Sequence, residues 1–135
     1  MTIYKFGPHL IKDSQVFYKS KLTLGIVNLK PIAPLHDLSD EEIVDFMLSA
    51  QKIGRAVEKH YQGTSLTMTI QDGPQAGQTV PHVHMHLIPR KKGDWANNDD
   101  VYEELDRSKG VDNEERPPRT EEEMKQEADE LRVYF

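Results

Sequence analysis

The 135-residue chain has no cysteine, only one tryptophan, and no long uninterrupted run of apolar residues. Without cysteine there is no disulfide framework and no thiolate metal ligand, and a reducing compartment is favoured. The lack of a bilayer-length apolar stretch and of a signal-peptide core predicts a soluble protein with no membrane partner. We expect a cytoplasmic location, with the nucleus as a second compartment.

Positive charge is also scarce. The chain has 17 Lys and Arg against 23 Asp and Glu, giving a net charge of −6. A general nucleic-acid-binding protein carries a basic stripe, so nucleic acid is not an expected partner and any anionic ligand must be recognised locally. The length is that of one domain, which we place at 1–135.

The histidines are unevenly distributed along the chain, with half of them inside one five-residue segment. Three of the six histidines, His82, His84 and His86, alternate with Val83 and Met85. Period-two alternation is typical of a strand, because successive side chains point to opposite faces. The pattern predicts that the three imidazoles share one face of that strand and that the apolar residues between them pack into the core.

Three interpretations of the alternating histidines compete. They could be ordinary hydrogen-bonded side chains, although aligned imidazoles cost solvation and, if charged, repel one another. They could bind a metal, but at about 3.3 Å per residue His82 and His86 stand roughly 13 Å apart, too far for one ion. Two of them could chelate only with a third ligand from elsewhere. A row of imidazoles along an extended polyphosphate, with the middle one as nucleophile, fits the spacing best.

The segment HVHMHLIP resembles the histidine-triad pattern of nucleotide hydrolases and transferases, and the wider chain is similar to the fragile-histidine-triad branch, the dinucleoside polyphosphate hydrolases. The segments that carry the resemblance are FGPHLI, VFYKSKL, IVNLKPI, QDGPQAGQTVPHVHMHLIPRK, VYEEL and EEEMKQEADELRVYF. They extend over nearly the whole chain, and the central twenty residues are the most specific.

The resemblance implies hydrolysis of a dinucleoside polyphosphate, diadenosine triphosphate first, to AMP and ADP. His84 would attack the α-phosphorus and form a nucleotidyl-histidine intermediate, with a backbone carbonyl holding its other ring nitrogen. His82 and His86 would position the phosphates and stabilise charge, His86 near the leaving group.

Substrate contacts are also implied by the resemblance. Asn28 would hold a ribose, and Gln71 and Thr79 would contact the polyphosphate. Gln78 is a further candidate, because a hairpin would bring it beside the triad. The apolar positions matching the walls of the base site are Phe6, Ile11 and Ile26. Simpler structural roles remain open for these residues. Asn28 could be an ordinary turn residue, the polar loop residues could belong to a simple hairpin loop, and the apolar residues could be ordinary core residues.

No bound cofactor and no resident metal are expected; magnesium or manganese would arrive with the substrate. The resemblance also implies a homodimer in which the sheets of two copies become continuous. Two other functions remain open: a signalling protein that binds dinucleotides with little turnover, and a nucleoside phosphoramidate hydrolase.

The predicted fold class is α+β, histidine-triad-like: an antiparallel sheet of five to six strands, one long helix on a face, and a C-terminal helix. Capping boxes at Ser39–Glu42 and Thr120–Glu123 mark where the two helices begin. Ser65 to Gln71 alternates as a strand antiparallel to the histidine strand, and a short helix is expected at VYEEL.

Two segments depart from a regular pattern. Residues 107–119 are charged and read as a flexible linker. Between Pro34 and Leu35, relatives of this branch continue with a Gly-His pair and an apolar strand that is missing here. Either the chain is shortened at this point, which would remove a central strand, or the molecule has further residues there.

Overall fold

The computed structural model describes residues 2–6, 9–20, 24–26, 34–78, 81–105 and 119–135. Asn28, Thr79 and all but Arg119 of the predicted linker at 107–119 lie outside these ranges. Within the described ranges, no helix combines the length and the apolar character needed to cross a bilayer.

The long helix predicted from the capping box is confirmed as α1, Asp40–His60. The Ser39 hydroxyl accepts from the Glu42 amide at 3.2 Å, and the Glu42 carboxylate accepts from the Ser39 amide at 2.7 Å. Acidic residues in the first turn complement the positive end of the helix dipole. The buried face of α1 includes Ile53 and Val57, as the apolar spacing predicts.

The described strands pair as three antiparallel hairpins. β1 (Ile3–Phe6) pairs with β2 (His9–Lys12), β3 (Val16–Lys19) with β4 (Leu24–Ile26), and β5 (Ser65–Ile70) with β6 (Met85–Arg90). The α+β class is thus present, but a single sheet of five to six strands is not confirmed, since no backbone ladder joins the three hairpins within the described residues.

The core lies between the hairpins and the two long helices. Its buried members come from β3, α1 and α3 (Glu121–Arg132), namely Phe17, Tyr18, Ile53, Val57, Ala128 and Leu131. Leu66 of β5 and Leu87 of β6 pack against this cluster. Gly25 of β4 gives the close approach that this packing needs, because a Cβ there would lie 2.9 Å from the Ile53 side chain.

The C-terminal helix α3 holds the N-terminal part of the chain in place. Thr120 and Glu123 form the predicted capping box. The Arg132 guanidinium donates from Nε to the Val16 carbonyl and from Nη2 to the Asp13 carbonyl, both at 2.8 Å. The short helix predicted at VYEEL is confirmed as α2, Asp100–Glu104.

Candidate active site

The β5–β6 hairpin carries the histidine segment, and its antiparallel pairing is as predicted. Thr69 is the partner of His86, and Ile70 the partner of Met85. The pairing ends there: Gln71 directly follows the last residue of β5, and His84 directly precedes the first residue of β6. The predicted phosphate-binding Gln71 and the middle histidine therefore stand at the same end of the hairpin.

The prediction that one strand carries all three histidines is wrong in detail: β6 begins at Met85, and only His86 lies within it. The physical cause lies in the preceding residues. Pro81 has no amide proton to give to a ladder. In the part of the chain that the structure describes, the His82 carbonyl does not pair with a neighbouring strand. It accepts a hydrogen bond from Nε2 of the Gln78 side chain at 2.7 Å and lies 3.0 Å from His84 Nδ1.

The protonation of His84 follows from that contact. A carbonyl oxygen only accepts hydrogen bonds, so Nδ1 of His84 carries the proton in the neutral ring. Nε2 then keeps its lone pair, which is the form of imidazole that attacks an electrophile. The prediction that a backbone carbonyl holds the other ring nitrogen of His84 is confirmed, and the carbonyl is that of His82.

The flanking histidines lie close to His84. The rings of His84 and His86 have centroids 5.1 Å apart and are nearly perpendicular, at 82°. Burial lowers the pKa of His82, its hydrogen bond to the Val83 carbonyl opposes this, and the neighbouring His84 lowers it further. A lowered pKa keeps His82 neutral at physiological pH, which avoids charge repulsion within the cluster.

Gln71 packs against a glycine that has a special backbone conformation. Gly77 has φ +85°, in the left-handed region, and a Cβ at this position would lie 2.8 Å from Nε2 of Gln71. A side chain at 77 would therefore push the Gln71 amide aside and strain the turn. Gly77 is therefore the residue that leaves room for the Gln71 side chain.

Gln78 is buried, with 8% of its surface exposed. Its Oε1 accepts from the Gly73 amide at 2.8 Å, and its Nε2 donates to the His82 carbonyl. Both ends of the side-chain amide are thus bound to backbone within the loop that precedes the histidines.

The remaining predicted contacts lie on the N-terminal side of the chain. Phe6 ends β1 and Ile26 ends β4. Ile11 of β2 is fully buried, with 0% exposed, as a core residue would be. Contacts of these positions with a base stay predictions, as do those of Asn28 and Thr79, which lie outside the described residues.

One structural anchor of the hairpin was missed by sequence reasoning. Arg90, at the end of β6, pairs with Asp94 at 2.7 Å, donates to Thr67 and Asn98, and lies over the Trp95 ring. This ion pair holds the pKa of Asp94 at about 2, well below its usual range. The i, i+4 spacing of Arg90 and Asp94 was the only local signal.

The described residues contain no group of three or more His, Cys, Asp or Glu that could hold a metal ion. What the site does contain is the His84 imidazole with Nδ1 against a carbonyl, the His86 ring beside it, and the Gln71 carboxamide directly after β5. This set of groups suits nucleophilic attack on an electrophile whose oxygen atoms need hydrogen-bond donors.

Comparison with known proteins agrees with this arrangement. The family model of the HIT domain matches residues 15–93, more than half of the chain. A bis(5'-adenosyl)-triphosphatase of Dictyostelium discoideum is 46% identical over 148 aligned positions, covering 100% of this chain and 95% of that protein.

Two further relatives point the same way. A bifunctional bis(5'-adenosyl)-triphosphatase/adenylylsulfatase of Arabidopsis thaliana is 42% identical over 98% of this chain and 84% of that protein. The crystal structure of a Plasmodium falciparum diadenosine triphosphate hydrolase superposes with a TM-score of 0.74 at 30% identity, covering 99% of this chain and 84% of the other. The chain therefore belongs to the HIT-domain family, in its fragile-histidine-triad branch.

Proposed function

We propose that this protein is an enzyme that hydrolyses dinucleoside polyphosphates, with diadenosine triphosphate cleaved to AMP and ADP. The observation that carries the proposal is the contact of His84 Nδ1 with the His82 carbonyl, which puts the lone pair of the neutral ring on Nε2. The names of the full-length relatives supply the substrate class.

The proposed reaction has two steps. In the first, His84 Nε2 forms a bond to the α-phosphorus while the bond from that phosphorus to the bridging oxygen breaks, and ADP leaves. In the second, water attacks the same phosphorus, the nitrogen–phosphorus bond breaks, and AMP leaves with the water oxygen. A covalent intermediate divides one difficult displacement into two easier ones.

The neighbouring groups have proposed roles as well. His86, whose ring contacts that of His84, stabilises charge near the leaving group, and His82 helps to position the phosphates. Gln71, which directly follows β5, orients the α-phosphate. Thr79 is proposed to contact the polyphosphate and Asn28 a ribose. The proposed base walls are Phe6, Ile11 and Ile26.

We further propose that a divalent cation, magnesium or manganese, travels with the substrate. Phosphate oxygens with a few waters are a favourable environment for Mg²⁺, which needs few protein ligands when it is bound this way. Chelation of the metal should therefore slow turnover without lowering the melting temperature of the free protein.

A homodimer is proposed from the surface between α1 and β5. A groove of about 430 Å³ there is lined in part by Met47, Leu48, Leu66 and Met68, and three of these are 42–53% exposed. Apolar side chains grouped in this way mark an interaction surface. A second copy would cover them, and two β5 strands could join into one larger sheet.

The dimer is tested by substitution on that surface. Met68→Lys should give a monomer in size-exclusion chromatography with light scattering. Val133→Lys, which changes an apolar residue that is 79% exposed on another part of the chain, should leave the dimer intact. A monomeric parent protein would contradict the proposal.

We also propose that the segment missing between Pro34 and Leu35 is a strand that would join the hairpins. The alignment with the Dictyostelium protein covers 148 positions, whereas this chain has 135 residues, so at least 13 positions of the relative lack a counterpart. The described hairpins also lack a joining strand. Intact mass spectrometry of the purified protein distinguishes a shortened chain from one with further residues.

The function is tested with diadenosine triphosphate in ¹⁸O-labelled water. Attack by water on a nucleotidyl-histidine intermediate places the label in AMP alone. The matched variant His84→Asn should lose essentially all turnover, by about 10³-fold or more, while still binding the substrate. Tight binding without product in the parent protein would favour the dinucleotide-binding alternative. Faster cleavage of a nucleoside phosphoramidate than of diadenosine triphosphate would favour the second alternative, a nucleoside phosphoramidate hydrolase.

A further inference from the structure

The side chain of Gln78 connects two points of the loop before the triad. Its Oε1 accepts from the Gly73 amide at 2.8 Å, where the loop begins, and its Nε2 donates to the His82 carbonyl at 2.7 Å, where the loop ends. With 8% of its surface exposed, the side chain makes these bonds in a site shielded from water. A buried hydrogen bond is costly to lose, because the groups left behind stay desolvated.

The His82 carbonyl has a second partner, and that partner is the proposed nucleophile. Nδ1 of His84 lies 3.0 Å from the same oxygen that accepts from Gln78. A carbonyl has two lone pairs, so it can accept both hydrogen bonds at once. The orientation of the His82 peptide, which Gln78 fixes, therefore sets the direction in which the His84 ring is held.

The same contact selects the tautomer of His84. With the carbonyl held in place, the tautomer that has its lone pair on Nδ1 would face an oxygen lone pair at 3.0 Å, which is repulsive. The tautomer with Nδ1–H is favoured, and Nε2 remains available to attack. If the peptide could rotate, both the ring direction and the tautomer preference would weaken.

We propose that Gln78 is a positioning residue for the nucleophile: it fixes the His82 carbonyl, which in turn fixes the orientation and tautomer of His84. This role replaces the direct substrate contact that the sequence alone suggested for Gln78, since both ends of its amide are bound to backbone. The inference rests on the proposed function for its kinetic consequence, but not for its effect on His84.

The kinetic test uses two variants and a matched control. Gln78→Ala removes both hydrogen bonds, and Gln78→Glu keeps an acceptor for Gly73 but turns an oxygen toward the His82 carbonyl. Misplacing a catalytic group costs about 10- to 100-fold in kcat, and we expect a loss of that size with KM nearly unchanged. Gln75→Ala, an exposed glutamine in the same loop, should behave as the parent protein.

The pH profile of Gln78→Glu separates positioning from a general loss of structure. A buried glutamate has a raised pKa, and once protonated it can donate an O–H to the His82 carbonyl in place of the amide. The ratio of its kcat to that of the parent should therefore rise as the pH is lowered. A ratio that stays flat while both proteins remain folded would overturn the proposal, as would unchanged kcat in both variants.

A measurement independent of turnover completes the test. Proton–nitrogen correlation spectra of protein labelled with ¹⁵N-histidine report which ring nitrogen of His84 is protonated. The proposal expects Nδ1–H in the parent protein and a mixture of tautomers in the Gln78 variants. A pure Nδ1–H tautomer in both variants contradicts it. If the parent protein does not cleave diadenosine triphosphate but the tautomer still shifts, only the proposed function fails.

Discussion

The β5–β6 hairpin and the N-terminal hairpins, β1–β2 and β3–β4, are held in the fold in different ways. The histidine hairpin packs on α1; the Gln78 side chain holds its connecting loop, and Arg90 anchors the opposite end of the hairpin. The N-terminal part is held chiefly by α3: Arg132 binds two of its carbonyls, and Lys12 pairs with Glu121 at 2.6 Å.

This difference separates two parts of the proposed reaction. The groups proposed to carry the chemistry, the three histidines and Gln71, lie in the histidine hairpin or at its loop. The residues proposed to wall the base, Phe6, Ile11 and Ile26, lie in the N-terminal hairpins, the part that α3 holds. Changes in the histidine hairpin should therefore lower kcat, and changes that loosen the N-terminal hairpins should raise KM.

Among changes that leave the three histidines in place, the largest effect on this comparison is expected for Gly77→Ala in the histidine hairpin. The new Cβ would lie 2.8 Å from Gln71 Nε2, and the left-handed φ of +85° disfavours any side chain. Displacing Gln71 should lower kcat by about 10- to 100-fold, measured by steady-state hydrolysis of diadenosine triphosphate.

Gly93→Ala is the matched control for that change. Gly93 also has a positive φ, +78°, but a Cβ there meets nothing within 4 Å. The control should show the same backbone strain with nearly normal kcat. Equal losses in the two variants would mean that strain alone, and not the position of Gln71, explains the result.

A smaller effect of a different kind is expected for Arg132→Ala. This change removes two hydrogen bonds from a charged group to the carbonyls of Asp13 and Val16. Loosening the N-terminal hairpins by about 1–1.5 kcal/mol should raise KM about 5- to 15-fold with little change in kcat. Lys125→Ala, on the exposed side of α3, is the control. If Arg132→Ala lowered kcat and left KM unchanged, the proposed separation between a hairpin that carries the chemistry and N-terminal hairpins that bind the substrate would be contradicted.

The smallest effect is a change in how stability depends on pH. Burial lowers the pKa of His82 in the folded state, so below about pH 6.5 the unfolded chain binds the proton more readily. This group therefore contributes stability above that pH, and the contribution is lost as the pH falls toward the folded-state pKa. Denaturation of the parent and of His82→Gln between neutral and mildly acidic pH should show the steeper loss in the parent; parallel curves would refute this.

Local patterns in the sequence predicted the local structure well. Both capping boxes, the apolar face of α1, and the pairing of β5 with β6 are confirmed, because each depends on neighbours along the chain or on strict alternation. The Nδ1 contact of His84 is confirmed too, although it was implied by the family resemblance and not by the residues alone.

The errors arose where distant or side-chain partners decide the structure. The alternation at His82 and His84 looked like a strand, but the His82 carbonyl is used by Gln78 and His84, and β6 begins only at Met85. The contacts of Arg132 with residues 116 and 119 positions earlier leave no local signal. The roles of the site residues in substrate binding and catalysis stay predictions.

The most direct test of the central claim is to identify the residue that carries the nucleotide. Protein mixed with diadenosine triphosphate is quenched in alkaline denaturant, which preserves nitrogen–phosphorus bonds, and the adduct is located by peptide mass spectrometry. We expect one nucleotidyl group on His84 and none in His84→Asn. Product formation with no adduct at any time, or an adduct on His82 or His86 instead, would contradict it.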